Sequence, residues 1–91
     1  MIHSREHINS LKANFPLAEN VSRHAVCICL EGVDRIMMKK NRNIFCATRP
    51  PGHHALNTGK HEGFCFYNNV AIAAKYIQNK YNLFFLLLLF Y

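Results

Sequence analysis

Acidic residues are scarce in this sequence. Its 91 residues include 11 lysines and arginines but 5 acids, for a formal net charge of +6, and Asp34 is the single aspartate. A cationic excess can signal an anionic partner. Here the charges are scattered, with their densest cluster at Lys39, Lys40 and Arg42. No basic stripe alternates with aromatics, so direct nucleic-acid binding is not expected. Other signals are missing too. The N-terminal run from Met1 to His7 has no apolar h-region, so no signal peptide is read there. No apolar run reaches the roughly 20 residues of a membrane span, so no membrane partner is expected. Cys27 and Cys29 are spaced C-x-C rather than C-x-x-C, which argues against a zinc knuckle. With Cys46 and Cys65 they read as reduced, small buried residues of an intracellular protein, nuclear or cytoplasmic. There is no internal repeat and no low-complexity linker. The sequence sets no oligomeric state.

What is present is apolar: 51% of the residues are hydrophobic. That is too many for a disordered tail and fits one small domain over residues 1–91. Ser4 to Asn14 suits a short helix that Pro16 would stop. From Glu19 to Lys40, Val21, Ala25, Ile28, Cys29, Gly32 and Ile36 recur at helical steps and predict a helix with that face buried. Ile44 to Thr48 reads as a short buried strand. Arg49-Pro50-Pro51-Gly52 then enforces a shaped loop, which continues to Glu62. Asn69 suits the N-cap of a second amphipathic helix, Val70 to Lys80. The apolar run Leu83 to Tyr91 reads as a strand buried on both faces. Two strands joined by a helix predict a parallel, right-handed βαβ arrangement, hence an α/β fold.

The loop after the first strand carries adjacent histidines, His53 and His54. Function in open α/β sheets collects at such strand ends. Imidazole titrates near neutrality and can move protons during hydrolysis. A Pro-Pro-Gly lead-in would fix both rings before substrate arrives. A surface His-His pair is the plainer alternative. A local zinc site from His53, His54 and His61 fits metal-ligand spacing poorly. Phe64, Phe66 and Tyr67 could wall a pocket or simply pack in the core. Arg49 could bind an anion or carbonyl, or sit in solvent.

Arg49-Pro50-Pro51-Gly52-His53-His54-Ala55, followed by Gly63-Phe64-Cys65-Phe66-Tyr67-Asn68-Asn69-Val70-Ala71-Ile72-Ala73-Ala74, resembles the histone deacetylase family. The Arg-Pro-Pro-Gly form is similar to its class II and acetylpolyamine amidohydrolase branch. The resemblance is clearest over residues 19–81, with 83–91 an apolar strand-like tail. It implies a three-layer α/β/α arginase/deacetylase-like fold around parallel strands. It also implies hydrolysis of acetyl-lysine or a related acetylated amine, on an acetylated protein such as a histone tail or on an acetylpolyamine. The implied cofactor is zinc. By resemblance His53 and His54 are the general acid/base pair, and Gly63 and Phe64 line the substrate tunnel through a backbone carbonyl and a ring.

The family's Asp-x-Asp-x-His zinc motif follows the second helix, where this sequence has Leu86 to Tyr91. The third zinc carboxylate, the oxyanion-stabilising tyrosine and the carboxylates that orient the histidines are also unmatched. Asp34 alone, on the first long helix, supplies no zinc site. The chain therefore reads as a truncated piece, inactive by itself, or as a non-catalytic product or interaction module.

Overall fold

In a computed structural model of the chain, residues 3–53, 55 and 65–82 are described. Three helices carry them: α1 (Arg5–Asn14), α2 (Pro16–Met37) and α3 (Asn69–Tyr81). The Ser4 side chain caps α1 by accepting from the His7 N–H at 3.1 Å. Phe15 alone separates α1 from α2, serving as C-cap of one and N-cap of the other. Pro16 ends α1 as predicted, but it also opens α2 as its first residue, where a missing N–H costs nothing. The long helix thus begins three residues before the predicted Glu19. It ends at Met37, followed by Lys39 in the left-handed region (φ 60°) and a Lys40 N–H bonded back to the Arg35 carbonyl. Asn68, not Asn69, caps α3, accepting from the Ala71 N–H at 3.0 Å.

The expected α/β architecture is not what forms. Among the described residues there are three helices and no strand, so the three-layer arrangement with parallel strands is overturned. The segment 44–48 keeps one strand-like property: Ile44, Cys46 and Thr48 are half-buried while Phe45 and Ala47 are exposed. That period of two is what an extended backbone shows when it lies on a surface. A strand also needs a ladder partner, and no described segment pairs with this one. The second predicted strand, 83–91, lies outside the described residues.

α1 and α3 each pack on α2, and their backbones do not approach one another. The core is small: Leu11, Val26 and Tyr67, with Ile8, Leu30, Phe66 and Ile72 against it. The predicted buried face of α2 is only half right. Ala25 and Gly32 are buried, whereas Val21, Ile28 and Ile36 are exposed. The inner stripe instead runs through Glu19, Ser22 and Val26. Periodicity alone put the apolar side chains inside, but the Tyr67 hydroxyl brings a polar partner to Glu19's side. The cysteines also divide: Cys65 is buried, Cys29 and Cys46 half-buried, and Cys27 exposed. No helix among the described residues is long and apolar enough to cross a membrane.

α3 is clasped to α2 by one carboxylate. Asp34 accepts from the Tyr81 hydroxyl (2.7 Å), the Tyr76 hydroxyl (2.8 Å) and the Lys80 ammonium (3.1 Å). The Tyr81 and Tyr76 bonds hold its pKa below the usual carboxylate range.

Candidate active-site loop and its support

The histidine loop leaves the 44–48 segment through a cis Arg49–Pro50 peptide. Gly52 is buried where no side chain fits. A Cβ there would run into the Tyr67 carbonyl oxygen and lie 2.6 Å from the Asn69 nitrogen. The loop is thereby seated directly on the segment entering α3. Polar ties reinforce the seat. The Asn69 amide donates to the Pro50 carbonyl at 3.3 Å, and the Asn68 amide donates to the Ala55 carbonyl at 3.5 Å. The Ala55 N–H donates to the Gly52 carbonyl at 3.1 Å, closing a tight turn. His53 sits exposed in that turn. Arg49 is exposed as well. The other residues of the expected site, His54, Gly63 and Phe64, lie outside the described residues, as does His61.

Residues 66–68 are held from the far side by the N-terminus. The His7 ring Nε2–H donates to the Phe66 carbonyl at 3.1 Å, since a carbonyl only accepts. The Asn68 N–H donates to His3 Nε2 at 3.0 Å, so that nitrogen is the unprotonated one. The two rings stack with centroids 5.1 Å apart, and His3 lies 5.3 Å from the Tyr67 ring. The Tyr67 hydroxyl reaches past them and donates to Glu19 at 3.0 Å. Arg23 grips the same carboxylate with a two-pronged contact at 2.6 and 2.7 Å.

Burial of Glu19 works to raise its pKa, but the Arg23 and Tyr67 hydrogen bonds outweigh that and hold it below the ordinary value. Burial, followed by the bond to Glu19, pushes the Tyr67 phenol well above its usual range. Tyr67 therefore settles as a core residue with a satisfied hydroxyl, its ring also lining the cavity beside α2. Phe66 is half-buried and faces Phe15, with ring centroids 6.4 Å apart. Sequence reasoning missed His3 and His7. Their i, i+4 spacing across a helix start was the available signal.

The profile of the histone deacetylase domain matches residues 1–86 of the chain. The chain belongs to the histone deacetylase family. It is 49% identical to histone deacetylase 6 of Caenorhabditis elegans over 63 residues, covering 67% of this chain and 6% of that protein. It is 43% identical to an uncharacterized Synechocystis protein over 89 residues, covering 81% of this chain and 28% of the relative. A third relative, polyamine deacetylase HDAC10 of Danio rerio, is 48% identical over 54 residues, covering 59% of this chain and 8% of that one. The chain thus spans less than a third of the length of these relatives.

Zinc, the metal the family implies, finds no fit among the described residues. Among the described residues no three histidine, cysteine, aspartate or glutamate side chains gather to hold a metal. Asp34 is committed to Tyr76, Tyr81 and Lys80, and Glu19 to Arg23 and Tyr67.

Proposed function

We propose that this chain supplies the tandem-histidine loop of an amide hydrolase that removes acetyl groups from lysine side chains or polyamines. The carrying observation is the seat of Gly52 on residues 67–69. It joins the loop bearing His53 to the backbone that follows Gly63-Phe64, so the two halves of the family motif are locked in one unit. In this reading one of His53 and His54 takes a proton from the attacking water. The other delivers a proton to the leaving amine as the C–N bond breaks. Such proton transfers are worth about 10²–10⁴-fold in rate. Gly63 and Phe64 would flank the methylene stem of the acylated amine, the carbonyl accepting from the amide N–H and the ring excluding water. The relatives' names support the substrate class: one is a histone deacetylase and another a polyamine deacetylase. No step is assigned to a metal, because the described side chains do not compose a site for one.

A chimera tests the reading. Residues 44–81 of this chain replace the aligned stretch of the Danio rerio polyamine deacetylase, and acetylpolyamine turnover is measured. The expected result is activity within about tenfold of the parent, with His53→Ala and His54→Ala each costing about 10²–10⁴-fold. A folded chimera that is inactive, or variants as active as the chimera, would overturn it.

The absence of a metal-holding group among the described residues favours a second reading, in which the 91-residue chain by itself is an interaction module. Stoichiometric zinc uptake by the isolated chain, measured by equilibrium dialysis, is the result that would exclude it.

A further inference from the structure

Because α1 and α3 flank α2 without their backbones meeting, they leave a groove of about 490 Å³ between them. Its floor is a single stripe of α2: Glu19, Arg23, Val26 and Leu30. That stripe spans eleven helical steps, or about 16 Å. One wall is α1, through Ile8 and Lys12, and the other is α3, through Ile72 and Lys75. Ile8, Leu30 and Ile72 are only partly buried, so apolar surface remains open to the groove. A trough between two helices, floored by a third and three turns long, has the shape that ridges-into-grooves packing gives a further helix.

The charges define the occupant more closely. Lys12 and Lys75 stand exposed on opposite walls, and neither makes an ion pair among the described residues. The floor's one carboxylate, Glu19, is already neutralised by Arg23. We propose that this groove binds an amphipathic helix from another protein, with an apolar stripe at i, i+3, i+4 and i+7 bordered on both sides by glutamates or aspartates. A second copy of this chain is a poor occupant, since each copy carries +6. The histidine loop takes no part in this surface, so the proposal stands apart from the deacetylase reading.

The test is a fluorescence-anisotropy titration of the whole 91-residue chain. The probe is a labelled 14-residue peptide with leucines at i, i+3, i+4 and i+7 and glutamates on both flanks. Two controls accompany it: the same peptide with lysines for glutamates, and decanoate as a competitor. Saturable binding of the glutamate peptide is expected, at least tenfold tighter than the lysine peptide and weakened at least tenfold by Lys12→Glu with Lys75→Glu. Both lysines are exposed, so that variant keeps its helices, which circular dichroism verifies. Ile72→Trp, which fills the trough, is expected to block binding while leaving the charges intact. Absence of binding, equal affinity for the two peptides, or indifference to the double charge reversal overturns the proposal. So does displacement by decanoate at concentrations that leave the labelled peptide fully helical, which would mark the trough as an acyl-chain site.

Discussion

Gly52→Ala is the substitution that most directly challenges the seating of the loop. The added methyl meets backbone rather than a side-chain tip: the Tyr67 carbonyl oxygen, the Asn69 nitrogen at 2.6 Å and Asn69 Cγ at 3.0 Å. Backbone entering a helix cannot rotate away, so the loop must lift. Overpacking of this kind costs about 1–3 kcal/mol. Lifting also breaks the Asn69-to-Pro50 hydrogen bond, which adds about 1 kcal/mol. A total near 2–4 kcal/mol is a large share of the stability of so small a domain. Gly32→Ala is the control. Its methyl would meet only Cys46 Sγ at 3.0 Å and Ile44 Cγ2 at 3.3 Å, both on side chains that can give way. Alanine also gains about 1 kcal/mol of helix propensity over glycine. Gly32→Ala should therefore fall within about 1 kcal/mol of the parent. Urea unfolding followed by circular dichroism measures both. If Gly52→Ala unfolds at the same midpoint as the parent, or the order of the two variants is reversed, the seat does not anchor the loop.

Tyr67→Phe removes the hydroxyl bonded to buried Glu19 and should cost about 1.5–3 kcal/mol in the same assay. The pH dependence follows from two carboxylates, Glu19 and Asp34, whose folded pKa values are both depressed. Their contribution is present above the unfolded values and is lost as pH falls through the folded ones, so helicity should decline below about pH 4. Glu19→Gln and Asp34→Asn should each flatten that decline; an unchanged acid transition would refute the assignment. Lys39→Gly relieves a left-handed residue at the end of α2 (φ 60°) and should raise stability by about 0.5–1 kcal/mol, read as a higher urea midpoint. The isolated chain should show no stoichiometric zinc binding in dialysis and no turnover of an acetyl-lysine peptide, because the Asp-x-Asp-x-His motif that the family resemblance implies for the metal is unmatched in its sequence.

The helices were legible because local rules govern them. Ser4 and Asn68 act through bonds to neighbours three residues away, so α1 and α3 follow closely from sequence, while Pro16 acts through its own ring and opens α2 three residues before the expected start. The one-residue slip from Asn69 to Asn68 is a choice between identical side chains. The buried strand expected over 44–48 does not form, because ladder pairing is a non-local property that five residues cannot encode. The glycine at position 52 was read as a loop former, whereas its fixed requirement comes from Tyr67 and Asn69, more than a dozen residues away. His3 and His7 were overlooked because buried histidines carry no apolar periodicity, and their partners, the Phe66 carbonyl and the Asn68 N–H, are separated from them by 59 and 65 residues.

That last separation bears on why the core here is polar where a greasier one was available. Val21, Ile28 and Phe45 face solvent while His3, His7, Glu19 and Ser22 are buried. Apolar contacts alone would tolerate a rotation of α2 about its axis, since any apolar stripe can serve. The chain His7 to Phe66, His3 to Asn68 and Tyr67 to Glu19 permits one rotation, because each bond names a specific donor and acceptor. A misplaced α2 would keep the Glu19–Arg23 pair, which lies within the helix, but would lose the Tyr67 hydroxyl bond to that carboxylate, a cost of about 1.5–3 kcal/mol. The Tyr67 carbonyl held in this backbone is also, with Asn69, what seats Gly52. The position of the histidine loop is therefore set by directional polar bonds from the N-terminus, and only secondarily by the small apolar core beneath it.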